Sequence, residues 1–429
     1  MEILERDKKI IWHPFTQEKT ADLPIAIKKG KGAYIYDENG KEYLDLISSW
    51  WVNLHGHAHP EIAKSIYKQA LELEHIIFAG FTHTPAVELC ENLQKILPQK
   101  LSRFFFSDNG STAVEVSLKM SYQYWHNKGK EKNIFISFDG GYHGDTFGAM
   151  SVSVNSGFHD VFKNLLFEVI NIPFPETWDD DDDCQKKEEH SLDILKKELE
   201  KNGEKISAII LEPIIQGASG MRKCRASFVK KVITLVRQHG ILVIFDEVMT
   251  GFGRTGTNFA LEQIDVIPDF LCVSKGITGG FLPLALTITT EDIYNAFLND
   301  SWDYAFAHGH SYTANPIACA AAITSLKILL EDDTQKALQD INLCHKAGIE
   351  YLKSNCTNVV KTRVIGTIAA FEVDCKKNIN KELKAKFLDN GLLIRPLGNT
   401  VYILPPYCIT KEELEFVYKK IVKILKYIV

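Results

Sequence analysis

The chain has 429 residues, 45% hydrophobic and 24% charged, near the globular average and enough to bury a core without disulfides or metal. Its 49 basic and 55 acidic side chains leave a net charge of −6, which argues against the basic stripe of a nucleic-acid binder. Apolar runs stop at strand length, far short of a membrane span, and Met1 to Lys9 carry both signs of charge where a signal peptide has an apolar centre.

At roughly 150 residues per domain, two or three domains are expected. The nine cysteines are odd in number, widely spaced and without a Cys-x-x-Cys pair. That pattern predicts reduced thiols in a cytoplasmic compartment, not a disulfide framework or a zinc knuckle.

In chain order, His55, His57 and His59 alternate, as zinc ligands on one strand face would, but Gly56 and Pro60 predict a turn there. Arg103 to Phe106 reads as a strand, and Ser111 to Trp125 as a helix. The linking Ser107-Asp108-Asn109-Gly110 offers small polar residues at a helix N-terminus. Such a site suits a phosphate or carboxylate; a plain N-cap by Ser111 explains the same residues equally well. Gly140-Gly141-Tyr142-His143-Gly144-Asp145 adds an aromatic candidate, Tyr142. The five aspartates Asp179 to Asp183 read as a solvated loop entering a charged helix around Leu192 to Leu199.

Ile206 to Leu211 and Ile241 to Phe245 are β-branched apolar runs, separated by a helix from Ser227 to His239 that Gly240 ends. Strand, helix, strand at this spacing is the βαβ unit of a mostly parallel sheet, so the fold class is α/β. Gly251 to Gly256 matches G-x-G-x-x-G, yet Asp246 to Thr250 separates it from the strand, which weakens a dinucleotide reading. Pro268 to Val273 predicts another strand, followed by Ser274-Lys275-Gly276. Thr410 and Glu413 form a capping box that opens an amphipathic helix to about Tyr427.

Ligands of parallel sheets bind beyond the strands' carboxyl ends. Glu212, Asp246 and Lys275 each follow an apolar run there, with the glycine-serine helix start as an anion site. A desolvated lysine becomes nucleophilic. Anion site, buried acid, aromatic ring and reactive lysine together are the set that pyridoxal phosphate requires.

Asp246 through Gly256 with Ser274-Lys275-Gly276 resembles the signature of the class III aminotransferases, pyridoxal-phosphate enzymes of fold type I, and the resemblance spans essentially the whole chain. It implies a large domain with a mostly parallel central sheet over residues 61–330, and a smaller α+β domain built from the N-terminal segment 1–60 and residues 331–429. Trp12-His13-Pro14-Phe15-Thr16-Gln17, Ser48-Ser49-Trp50-Trp51, Tyr142 to Thr146, Ile394-Arg395-Pro396 and Leu404 to Tyr407 are similar to the biotin-synthesis branch of that family. That branch aminates 8-amino-7-oxononanoate to 7,8-diaminononanoate, with S-adenosylmethionine or lysine as donor. A general ω-amino-acid aminotransferase would share the lysine and the signature but has no reason for the two tryptophan motifs.

The resemblance assigns roles residue by residue. Lys275 would hold the cofactor covalently and shuttle protons, Asp246 would pair with its ring nitrogen, and Tyr142 would stack on the ring. Gly110 and Ser111 would cradle the phosphate, with Ser311 completing that site across a homodimer whose active sites lie at the subunit interface. Phe15, Trp50, Asp145, Arg254 and Gly309 would line the substrate side, and Arg395 would clamp a carboxylate with its planar fork. Three positions depart from the family pattern: Phe15 stands where tyrosine is frequent, His310 where proline is common and Asn109 where serine is frequent. No metal is expected.

Overall fold

A computed structural model describes residues 3–153, 159–375 and 377–426. Three N-terminal strands, β1 (Ile27–Lys31), β2 (Tyr34–Asp37) and β3 (Glu42–Asp45), form an antiparallel meander. The middle of the chain supplies β4 (Leu101–Ser107), β5 (Ile134–Phe138), β6 (Val169–Ile172), β7 (Ile206–Leu211), the two-residue strands β8 (Ile215–Gln216) and β9 (Arg222–Lys223), then β10 (Leu242–Asp246), β11 (Phe270–Val273) and β12 (Ala285–Thr290). The last quarter adds β13 (Val359–Ile365), β14 (Ile368–Val373), β15 (Leu392–Leu393) and β16 (Thr400–Ile403).

Seven strands make the central sheet in the order β4-β12-β11-β10-β7-β5-β6. All its pairings are parallel except those of β12, which runs antiparallel to β11 and β4. Every residue of β7, β10 and β11 is buried. Cover on both faces explains why these strands read as continuous apolar runs, with no alternation. The helix Ala226–Gln238 lies between β9 and β10 in the chain and buries Phe228, Val229, Val232, Ile233 and Val236, a stripe one helical face wide.

Register sets the site. Phe245 of β10 lies opposite Leu211 of β7, and Asp246 lies opposite Cys272 of β11. Glu212, Asp246 and Lys275 therefore leave the sheet at one edge. The strand ending in Asp246 is displaced by one residue from the expected 241–245, because the Ile241 N–H turns back to the Val236 carbonyl at 3.2 Å. Asp246 thus belongs to the ladder itself, which limits its freedom.

β15 pairs in parallel with β3, joining segments that lie near the two ends of the chain, while β13, β14 and β16 form a separate antiparallel sheet. Thr410 and Glu413 close the expected capping box, with Glu413 N–H donating to Thr410 Oγ1 at 3.2 Å and Thr410 N–H to Glu413 Oε2 at 2.8 Å. The helix they open is Lys411–Leu425; Tyr427 lies outside the described residues.

The three alternating histidines sit in a turn. His57 bridges to Gly32, His55 is buried against Ser325 Oγ at 3.0 Å, and His59 precedes the helix Pro60–Glu72. The glycines of the 251–256 motif serve chain packing: a Cβ on Gly256 would stand 3.2 Å from Gly366 Cα. Among the described residues no His, Cys, Asp and Glu group is arranged to hold a metal ion, and no helix is long and apolar enough to cross a membrane.

The aspartate run is the expected loop before the helix Cys184–Asn202, with Asp180, Asp182 and Asp183 exposed, but Asp179, Asp180 and Asp181 are each held by a lysine. Asp179 pairs with Lys223 at 2.8 Å, Asp180 with Lys353 at 3.2 Å and Asp181 with Lys187 at 2.9 Å. Asp181 is only 3% exposed, and Lys187 also lies 3.8 Å over the Trp178 ring. Like charges in sequence are here divided among the following helix, through Lys187, and two distant segments, through Lys223 and Lys353. Asp181→Ala leaves Lys187 only the Glu176 carbonyl, at 3.2 Å, as acceptor; we expect a loss of about 1–3 kcal/mol, read as a lower thermal midpoint with unchanged catalytic constants.

Candidate active site

A cavity of about 680 Å³ opens at the carboxyl ends of β4, β5, β7, β10 and β11. Lys275 reaches it from a short 3₁₀ turn, Lys275–Thr278, in which its own φ is 45°. A non-glycine residue in this left-handed region is strained and is held there by its surroundings. Burial lowers the amine to about 8, although the charges of Asp246 and Glu212 pull it back upward. The ammonium position lies 4.5 Å from the centroid of the Trp51 ring.

Asp246, 4% exposed, accepts from Val248 N–H at 3.0 Å through Oδ1 and meets His143 Nδ1 at 2.7 Å through Oδ2. The carboxylate can only accept, so His143 carries its proton on Nδ1. Glu212 is buried one strand away; burial raises it to about 7, while Tyr142 N–H at 3.1 Å and Gly217 N–H at 2.8 Å favour its charged form. The Tyr142 hydroxyl is pushed up by burial and by Asp145. Its ring stacks on His159 at 6.0 Å, and His159 Nε2 contacts Asp145 Oδ1 at 3.0 Å.

The glycine-serine helix start is capped by Asn109, not Ser111: Thr112 N–H donates to Asn109 Oδ1 at 3.1 Å, and Asn109 N–H donates in return to Thr112 Oγ1 at 3.1 Å. Ser111 Oγ is left to Thr146, 2.8 Å from its Oγ1 and 3.0 Å from its N–H. The first-turn N–H groups of Gly110 and Ser111 thus face the cavity end of the helix, where a dipole favours an anion. Gly110 must be glycine, since a Cβ would meet Val248 Cγ1 at 2.6 Å.

This donor set fits pyridoxal phosphate. A helix start offers N–H groups to a phosphate, a buried acid is oriented toward the cavity by a histidine, and a desolvated amine stands beside both. The structure brings Lys275, Asp246, Tyr142, Gly110, Ser111 and Asp145 to one cavity.

Of the six expected substrate-side residues, five (Phe15, Trp50, Arg254, Gly309 and Arg395) do not line this cavity, and neither does Ser311. Trp51, not Trp50, walls the cavity beside Lys275. Trp50 is 39% exposed and packs outside it, 5.4 Å from Phe15 and 4.5 Å from the Arg395 guanidinium. The inversion has a backbone cause. Ser48, Ser49, Trp50 and Trp51 have φ of 48°, 45°, 70° and 73°, a left-handed turn closed by Trp51 N–H to Ile47 O at 2.8 Å. Each such residue costs about 1–2 kcal/mol against the right-handed form.

Arg254 is 1% exposed and does not line the cavity. Its two terminal nitrogens donate to the carbonyls of Pro405 at 2.9 Å, Asn53 at 2.9 Å and Trp51 at 3.4 Å, so both are engaged by backbone, while Nε is buried without a partner among the described residues. Gly309 and Ser311 stand off the cavity on the same chain, beside His310, whose Nδ1 is 3.7 Å from Asp108 Oδ2. Sequence reasoning missed the parts played by His143 and Trp51. His143 was visible only as a neighbour of Tyr142, because its partner lies 103 residues away.

The class III aminotransferase family model matches residues 15–425. The adenosylmethionine-8-amino-7-oxononanoate aminotransferase of Synechococcus elongatus is 48% identical, over 97% of this chain and 98% of that protein. Among solved structures, the enzyme of the same name from Methanocaldococcus jannaschii superposes with a TM-score of 0.91 at 34% identity, covering 99% of this chain and 98% of that one. A PLP-bound amine transaminase from an uncultivated Pseudomonas species superposes at 0.89 with 30% identity, covering 97% of each chain.

The lowered pKa of Lys275 has a measurable sign. Only the unprotonated amine reacts, so in cofactor-free protein its labelling rate should rise through a midpoint of about 8, where an ordinary lysine would wait until about 10.5. Peptide mapping after labelling with an amine-selective reagent across the alkaline range reads this directly; a midpoint at the ordinary value contradicts the burial argument.

Proposed function

Because the chain belongs to the class III aminotransferase family, we propose that it carries pyridoxal 5′-phosphate on Lys275 and converts 8-amino-7-oxononanoate to 7,8-diaminononanoate in biotin synthesis, with S-adenosylmethionine as amino donor. The observation that carries the reading is the convergence of Lys275, the His143-oriented Asp246 and the Gly110–Ser111 helix start on one cavity. Whole-length similarity to proteins bearing that name narrows the class to this reaction.

When bound, pyridoxal phosphate supplies an electron sink for the carbanion that transamination must pass through. Lys275 would hold it, Asp246 its ring nitrogen, Gly110 and Ser111 its phosphate, and Tyr142 one side of its ring. The chain's own work is proton handling and orientation. An amine poised near neutrality by burial can take a proton from the substrate carbon and return it. His143 holds Asp246 against rotation, so the acid meets its partner without reorganising. Trp51 keeps water from the amine. Arg395, steadied over Trp50, offers a planar fork for the carboxylate of the oxo acid.

We further assign a homodimer in which Ser311 of one protomer completes the phosphate site of its partner and Gly309 lines the substrate side, consistent with their position off the cavity of their own chain. A division into an N-terminal segment (1–60), a large cofactor domain (61–330) and a C-terminal small domain (331–429) matches this assembly, and nine free thiols suit a reducing cytoplasmic compartment. Phe15, 50% exposed beside Trp50, replaces a hydroxyl common in the family and makes lysine the alternative donor.

Purified enzyme without acceptor should convert its cofactor spectrum to the aminated form on addition of S-adenosylmethionine. Conversion by lysine alone moves the chain to the lysine-using branch; conversion by neither donor overturns the reading. Lys275→Ala should abolish turnover and the absorbance of the lysine-bound cofactor. Asp246→Asn should retain cofactor but lose roughly a hundredfold or more in rate, measured by single-turnover absorbance; an unchanged rate removes Asp246 from the role.

A further inference from the structure

We propose that Asp45 is a positioning residue for the substrate pocket: its carboxylate, oriented by Gly56, Asn53 and His57, holds the left-handed turn Ser48–Trp51 that sets Trp51 against Lys275 and Trp50 against Arg395. The inference rests on the function assigned above and names residues behind the pocket wall that do not touch its contents.

The bond directions can be followed one by one. Gly56 N–H donates to Asn53 Oδ1 at 2.8 Å, which fixes the side-chain amide and leaves Asn53 Nδ2 to face His57 Nδ1 at 3.3 Å. An amide nitrogen only donates, so Nδ1 accepts and the ring proton sits on Nε2. His57 Nε2 therefore donates to Asp45 Oδ2 at 3.0 Å. The same oxygen accepts Ser49 Oγ–H at 2.7 Å, while Oδ1 accepts Ile47 N–H at 3.2 Å. Asp45 has no exposed surface and acts purely as an acceptor. The charge of Arg254 lies within its field, and Arg254 itself holds the far end of the turn through the Trp51 and Asn53 carbonyls.

Gly56 starts this relay from a position only glycine can hold. Its φ is +95°, and a Cβ would meet Cys408 Sγ at 2.6 Å. At the pocket end, Ser48 Oγ donates to Leu404 O at 2.8 Å and Trp51 Nε1 to Tyr402 Oη at 3.2 Å. A left-handed turn of four non-glycine residues does not persist on local preference. Here Asp45, which precedes it, and three side chains within it, Ser48, Ser49 and Trp51, bind it at both ends.

The test uses holoenzyme carrying Ser49→Ala, which removes one bond to Asp45, and Asp45→Asn, whose amide can no longer accept on both sides. Bound cofactor should stay at the wild-type level in Ser49→Ala. The KM for the oxo acid should rise about tenfold, and kcat/KM should fall about a hundredfold in Asp45→Asn, the scale of an ångström-sized misplacement. A role confined to stability would lower the thermal midpoint and leave KM unchanged. Wild-type KM in Ser49→Ala therefore overturns the inference, whether or not Asp45→Asn folds. If the wild-type enzyme turns over the oxo acid with neither donor, the functional reading fails separately. Energy transfer from tryptophan to bound cofactor, referenced to Trp51→Phe, then decides: reduced transfer in Ser49→Ala sustains the positioning role, and unchanged transfer overturns it.

Discussion

The partial burial of one lysine amine in the cavity that it lines governs this site. An amine kept from solvent gives up its proton far more readily than one on the surface, and the carboxylates that share its cavity must then be held in fixed orientations. Asp246 is held by His143 and by its place in the strand ladder; Glu212 is held by two backbone N–H groups. The parallel register of β7, β10 and β11 makes this possible, because it delivers three side chains from distant parts of the chain to one edge. The sheet's double-sided burial follows from its parallel connections, whose crossover helices cover both faces.

The parts of the site that could be read from sequence are those for which a local pattern implies a location. Continuous apolar runs mark strands covered on both faces, and the residue after such a run sits at a ligand edge, so Asp246, Glu212 and Lys275 were legible. The helix-start glycine was legible for the same reason. Trp51 was not, because a left-handed turn reverses which of two adjacent tryptophans points inward, and no periodicity reports the sign of φ. Arg254 was misjudged because its motif lies near the cofactor acid in sequence, while its side chain runs the other way to three backbone carbonyls. The aspartate run had the composition of a solvated loop, and only the fold brings Lys223 and Lys353 to it.

The site also divides its labour between a rigid and a composed half. The cofactor half stands on strand ends and one helix start, all within the central sheet. Outside the Lys275 cavity Phe15, Trp50 and Arg395, the substrate half proposed above, come from the two ends of the chain and meet through ring and guanidinium contacts. A scaffold of this kind can keep its chemistry while its substrate wall changes, which is consistent with one fold serving transaminases of several names.

Arg254 ties that wall to something else. Its guanidinium grips the backbone at Trp51 and Asn53 on one side and at Pro405 on the other, 151 positions further along the chain. The tryptophan turn and the Leu404–Tyr407 loop are thereby one mechanical part made of two pieces of chain. Any attempt to transplant the substrate preference of this enzyme by grafting residues 48–51 alone would move half of a joint. The smallest portable unit is the turn, its arginine and the proline loop together.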